Sequence, residues 1–83
     1  MQKPDPEPGT YYVTAIDGGR YVALLGPFPT HQEALDNVSK ARKKAIELDP
    51  WAAFYAIGTV KVDNAYRRPG CLNQFFPELN LPA

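Results

Sequence analysis

Cysteine, histidine, serine, methionine and tryptophan are nearly absent: 83 residues hold one of each, at Cys71, His31, Ser39, Met1 and Trp51. A single thiol forms no intrachain disulfide and makes no metal site alone, which points to a reducing compartment. One histidine and one serine leave little room for a nucleophile, a base and an orienting group to converge. Charge of either sign is not in excess, since nine basic and nine acidic residues cancel. Nothing global therefore draws the chain to nucleic acid or to an anionic membrane. No apolar run approaches the roughly 18 residues of a membrane helix. Met1–Gly9 is polar and proline-rich, without the apolar stretch of a secretory signal. The reading is a soluble cytoplasmic protein with no membrane partner.

Proline, by contrast, is plentiful, with nine residues gathered toward the two ends. Prolines 4, 6 and 8 alternate with charge and predict a disordered, solvated tail over residues 1–9. Residues 10–63 then form a single domain, and residues 64–83 an irregular C-terminal tail with apolar Leu72, Phe75, Phe76, Leu79 and Leu81.

Within the domain, Tyr11 to Ile16 is aromatic and β-branched, as strands prefer. Asp17-Gly18-Gly19-Arg20 reads as a type I′ hairpin turn, and Tyr21 to Leu25 returns as the second strand. Gly26, Pro27 and Pro29 interrupt it. Thr30 and Glu33 stand at the spacing of a capping box. One helix is expected over residues 31–48, since Leu35, Val38, Ala41, Ala45 and Leu48 recur at helical period. Asp49-Pro50 stops it, because the residue before proline is pushed out of the α region. Trp51 should close the core against Phe54 and the helix end. Phe54 to Val62 is the third strand. The fold class is α+β: ββαβ, a three-stranded sheet in the order 2-1-3 with one helix on one face. The right-handed crossover rule sets this topology.

A single helix covers only one sheet face. The strands carry tyrosines and isoleucine and almost no charge, so the opposite face does not read as a water face. A second copy of the chain, the C-terminal tail or a ligand is expected to cover it. The candidate interface is Tyr12, Tyr21, Tyr55, Ile57, Phe75 and Phe76, with a homodimer favoured. A host or phage protein is a further possible partner.

Lys40, Arg42, Lys43 and Lys44 are the candidate nucleic-acid contacts. The alternative is electrostatic, because cations belong near a helix C-terminus and Glu33 and Asp36 near its start. Base stacking on outward tyrosines is a related option, although the basic–glycine–aromatic pattern of an RNA-recognition sheet is missing. His31 at the helix start is expected to be neutral and at the surface. Asp17, Glu33 and Asp49 each have a structural task in a turn, a cap or a helix stop. No glycine-rich phosphate loop and no metal-ligand spacing occurs. The chain is therefore read as non-enzymatic, with no catalytic residue, metal or cofactor.

Two resemblances follow from longer runs. Tyr21-Val22-Ala23-Leu24-Leu25-Gly26-Pro27-Phe28 with Glu33-Ala34 resembles one half of a SPOR domain, a strand, Gly-Pro-Phe and a helix. That resemblance implies binding to bacterial wall glycan. The wider run from Tyr11 to Val62, with Asp49-Pro50-Trp51-Ala52-Ala53-Phe54-Tyr55 and Gly58-Thr59, is similar to small proteins encoded by bacteriophages and prophages. It implies a compact accessory protein and brings no activity with it.

Overall fold

Alternation, turn chemistry and capping produce the expected order of elements. The computed structural model describes residues 5–63 and 68–82. Strands β1 (Thr10–Asp17), β2 (Arg20–Phe28) and β3 (Ala56–Val62) form one sheet in the order β2-β1-β3, with both pairings antiparallel. Helices α1 (His31–Asp36) and α2 (Val38–Leu48) lie on one face. The hairpin turn is at Gly18-Gly19, but only Gly18 has a positive φ (62°). This is the pattern of a type II′ turn, not the expected I′, which needs positive φ at both central residues.

Strand β2 does not stop at Leu25. Tyr11 pairs with Phe28, Val13 with Leu25 and Thr14 with Ala23, so β2 carries extra residues at Gly26-Pro27 and at Leu24. These are bulges, and each resets the side-chain alternation. As a result Leu24 and Leu25, neighbours in sequence, both enter the core. Gly26 sits at φ 139°, where a Cβ would come within 2.6 Å of the Tyr12 ring and 2.9 Å of the Tyr11 carbonyl oxygen.

Thr30 caps α1 as expected, its Oγ1 accepting the Glu33 N–H at 3.2 Å. The single helix over 31–48 is, however, interrupted at Asn37. Its side-chain Nδ2 donates to the Glu33 carbonyl at 2.7 Å, while its own N–H turns to Ala34 O at 3.1 Å. A side-chain amide has taken the acceptor that regular helix geometry reserves for the backbone. Of the predicted apolar stripe, Ala41 and Ala45 are buried while Leu48 is exposed. Ala34, Ala41 and Ala45 face the sheet, so the helices approach closely but contribute little apolar bulk.

The missing bulk comes from the irregular C-terminal stretch, which packs onto the domain. The Gly70, Cys71 and Leu72 N–H groups donate to the carbonyls of Gly26, Ala23 and Leu24 along the outer edge of β2. Two short 3-10 turns follow, Asn73–Phe75 and Pro77–Leu79. Leu72 joins the core, and Phe76, Leu79 and Leu81 pack against it. Gly70 permits this approach, since a Cβ there would lie 2.5 Å from the Leu24 carbonyl oxygen. Buried Asn73 locks the arrangement. Its Oδ1 accepts the Gly26 N–H at 3.1 Å, and its Nδ2 donates to Gly26 O at 2.5 Å and Pro82 O at 2.6 Å.

The described part of the N-terminal stretch, residues 5–9, touches the domain at two places. Gly9 N–H donates to Pro29 O at 3.0 Å, and Asp5 N–H donates to His31 Nδ1 at 2.7 Å. Residues 1–4 and 64–67, parts of the two predicted tails, lie outside the described residues.

Trp51 does not close the core. Pro50–Phe54 is a 3-10 turn, capped by Asp49 Oδ1 accepting the Trp51 N–H at 3.1 Å, and not the start of β3. Its three-residue period sets Trp51 and Phe54 on one side, their rings 5.6 Å apart, with 70% and 79% of their surfaces exposed. Ala52 is the residue that turns inward.

These placements rank two substitutions. Asn73→Ala leaves the buried Gly26 N–H without its partner, takes one of two donors from the Gly26 carbonyl, and should cost about 1–3 kcal/mol. Trp51→Ala removes a far larger side chain yet should stay within about 0.5 kcal/mol. Urea denaturation of the two variants checks the order, and a larger loss for Trp51→Ala contradicts it.

Candidate functional site

Cross-strand register separates the two sheet faces. Tyr11, Val13 and Ala15, with their partners Phe28, Leu25, Val22, Lys61, Thr59 and Ile57, face the helix layer. The other face carries Thr10 with Val62, Tyr12 with Val60, Thr14 with Ala23 and Gly58, and Ile16 with Tyr21 and Ala56. None of these paired strand residues on the second face is charged. Tyr12, Thr14, Tyr21, Ala23, Val60 and Val62 line a shallow groove of about 300 Å³ upon it. No helix among the described residues lies over it, but the chain at Arg68 does, its carbonyl accepting from the buried Tyr12 hydroxyl.

The six predicted interface residues are not brought together. Tyr12 and Tyr21 are on the open face, but Tyr12 is fully buried and its hydroxyl donates to Arg68 O at 2.5 Å. Tyr21 is 66% exposed. Tyr55 and Ile57 pack against the core on the helix side. Phe75 and Phe76 lie along α2, beneath Lys44 and Lys40, whose Nζ atoms stand 5.4 and 5.7 Å from the ring centroids. The tail passes round the β2 edge to the helix layer because its backbone is hydrogen-bonded to that edge. It therefore cannot lay these two rings on the open face.

The predicted nucleic-acid contacts divide as well. Lys40, Lys43 and Lys44 surround a hollow of about 450 Å³ with Ser39, Glu47 and Phe76. Lys44 pairs with Glu47 at 3.2 Å. Arg42, two residues from Lys40 and Lys44, points to the other flank of the helix. The lysines and the open sheet face lie on opposite sides of the molecule.

His31 is buried, contrary to expectation. Its ring stacks on Tyr11 with centroids 5.2 Å apart, and Nε2 meets Thr59 Oγ1 at 2.8 Å. Because Nδ1 accepts the Asp5 N–H, the ring proton belongs on Nε2. The Tyr11 hydroxyl donates to Glu7 O at 2.7 Å, and Lys61 Nζ lies 3.7 Å from Glu7 Oε1. The Glu7 N–H, bound to Asp5 Oδ1 at 2.9 Å, holds the Asp5 carboxyl below its usual range. This cluster pins residues 5–9 to the sheet. Cys71, free and exposed, runs along the outer edge of β2, whereas His31 contacts β3 across the sheet. The two do not form a pair.

The sheet edges are unequal. Residues 70–72 pair with β2, while the outer edge of β3 has no backbone partner among the described residues. No helix among the described residues is long and apolar enough to cross a membrane. Neither a family model, nor a curated protein, nor a solved structure matches the chain.

Sequence reading missed Asn73 and the bulged Leu24. The only local signal was Gly26-Pro27, which reads equally as a strand terminator. Partial burial raises the Cys71 thiol above its usual value, so its thiolate fraction at a given pH is smaller than that of free cysteine. Iodoacetamide should alkylate Cys71 more slowly than free cysteine at pH 8, with the gap closing as pH rises. Mass spectrometry checks this, and equal rates at pH 8 contradict it.

Proposed function

We propose that this chain is a non-enzymatic binding module that associates with a second copy of itself through its open sheet face. The carrying observation is the Tyr21 ring, 66% exposed beside the uncharged groove that Tyr12, Thr14, Ala23, Val60 and Val62 line on the second sheet face. Contiguous uncovered apolar surface marks interaction sites, and homodimer interfaces are the most apolar class. A surface with no charge of either sign meets its own image without like-charge repulsion. Zero net charge removes long-range repulsion between copies as well. The resemblance of Tyr11 to Val62 to small phage and prophage proteins favours an accessory role on a phage or host protein.

One observation favours a second reading. Lys40, Lys43 and Lys44 beside Phe76 set cations next to an aromatic ring, an arrangement suited to a phosphate backbone with a stacked base. Such a site would use the helix layer alone, separately from the sheet. A glycan would need hydroxyl-matching polar groups, and the open face offers few.

Sedimentation equilibrium tests the first reading. The wild-type chain should dimerise, and Tyr21→Asp should be monomeric with an unchanged urea midpoint, because Tyr21 is mostly exposed. Tyr21→Phe should remain dimeric. A wild-type monomer up to millimolar concentration overturns the proposal. Should the chain bind single-stranded DNA or RNA, charge reversal at Lys40, Lys43 and Lys44 should abolish that binding, and survival of binding rejects the basic-helix reading.

A further inference from the structure

We infer that a second surface, at the hairpin end of the helix layer, is a docking groove for a linear peptide segment that carries a bulky apolar side chain beside a carboxylate. A groove of about 280 Å³ runs between the end of α2 and strand β2. Its lining draws on every layer of the fold, with Ala15 from β1, Ala45 from α2 and Ala52 from the 3-10 turn. Three alanines in one hollow leave room for a large side chain that the chain does not itself supply. Val22 and Leu48 also line the groove, 42% and 53% exposed. Trp51 and Phe54 flank Ala52 in the chain and stand outward together.

Exposed large apolar groups are thus concentrated at this end of the molecule. Trp51, Tyr55 and Arg20 are the residue types that dominate binding energy at interfaces. Concave, mostly apolar surface with a few polar groups suits an inserted side chain better than a flat contact.

Charge identifies the second element of the ligand. Arg20 lines the groove, is exposed, and makes no ion pair with any described residue. Asp49 also lines it, but its carboxylate already caps the 3-10 turn through the Trp51 N–H. The Arg20 guanidinium presents paired donors suited to a carboxylate. An aliphatic or aromatic side chain in the alanine-floored hollow, with an Asp or Glu reaching Arg20, satisfies both features. This site is independent of the sheet-face reading.

Trp51 is the sole tryptophan and adjoins Ala52 of the groove floor, so its emission serves as a nearby probe. A displayed random-peptide library is panned on the full chain, and enriched peptides are synthesised and titrated while Trp51 fluorescence is followed. Enrichment of Leu, Ile, Phe or Trp next to Asp or Glu is expected, with a blue shift and reduced acrylamide quenching on binding. Arg20→Glu and Leu48→Asp, both at exposed positions, should each weaken binding about tenfold or more, and Tyr21→Asp should leave it unchanged. The inference is overturned by no enrichment, by enrichment of basic peptides, or by affinities indifferent to Arg20→Glu and Leu48→Asp. It is equally overturned if Trp51 emission shifts with protein concentration alone, which would make a second copy the occupant. Loss of the dimer in Tyr21→Asp with peptide binding retained separates the two surfaces.

Discussion

Asn73 gives its side-chain oxygen to the Gly26 N–H and its amide nitrogen to the Gly26 carbonyl. One side chain thereby satisfies both polar groups of a backbone unit that a bulge has turned away from β1. The Gly70 N–H shares the Gly26 carbonyl, so the Gly26 N–H is the group that leans on this amide, and a buried N–H left without a partner is costly. The clamp also decides where the tail goes. Residues 70–72 follow the β2 edge, and the apolar residues beyond them fall on the helix side. The helix layer needs them, because the residues it turns to the sheet are chiefly alanines. The clamp, the bulges and the alanine-faced helices thus form one solution: a close helix, a long bent strand and a tail that fills what the helix leaves open.

That solution fixes the surface. A tail committed to the helix side is unavailable to shield the opposite sheet face with Phe75 and Phe76, and the lysines above those rings hold them there. One sheet edge is protected by residues 70–72, and the other, at β3, has no backbone partner among the described residues. An uncovered edge strand is usually blunted by charge or proline. Here Lys61 is the strand's single charge, and it lies toward Glu7 and Tyr11. The fold therefore concentrates its protection on β2 and leaves the β3 side accessible.

The strand order, the hairpin position, the Thr30 cap and the stop at Asp49-Pro50 were legible because each rests on chemistry within a few residues. What escaped reading depends on contacts distant in sequence. The pairing of Asn73 with Gly26 spans 47 positions, and nothing in Leu-Asn-Gln announces it. The bulges concealed the faces, since strict alternation sends Leu24 and Leu25 to opposite sides. Trp51 was misplaced for a different reason. Size argued for burial, but a 3-10 period starting at Pro50 carries Ala52 inward and the two aromatic rings outward. His31 was legible as a helix-start residue but not as a buried one, because its partners Asp5 and Thr59 approach from opposite ends of the chain.

The two open surfaces differ in the property that sets specificity. The groove on the second sheet face is lined by uncharged residues only, so it offers shape and apolarity and no directional charge. The groove by α2 has a smaller apolar floor and a guanidinium at its rim, so a ligand there must meet a directional demand. A domain of this size holds a small core and can ill spare large apolar side chains. Tyr21, Leu48, Trp51 and Phe54 nevertheless stand in solvent while alanines occupy the interior. Folding alone favours the reverse distribution. The arrangement is one in which apolar surface is withheld from the core and presented at two separate places, the Tyr21 end of the sheet and the groove beside α2.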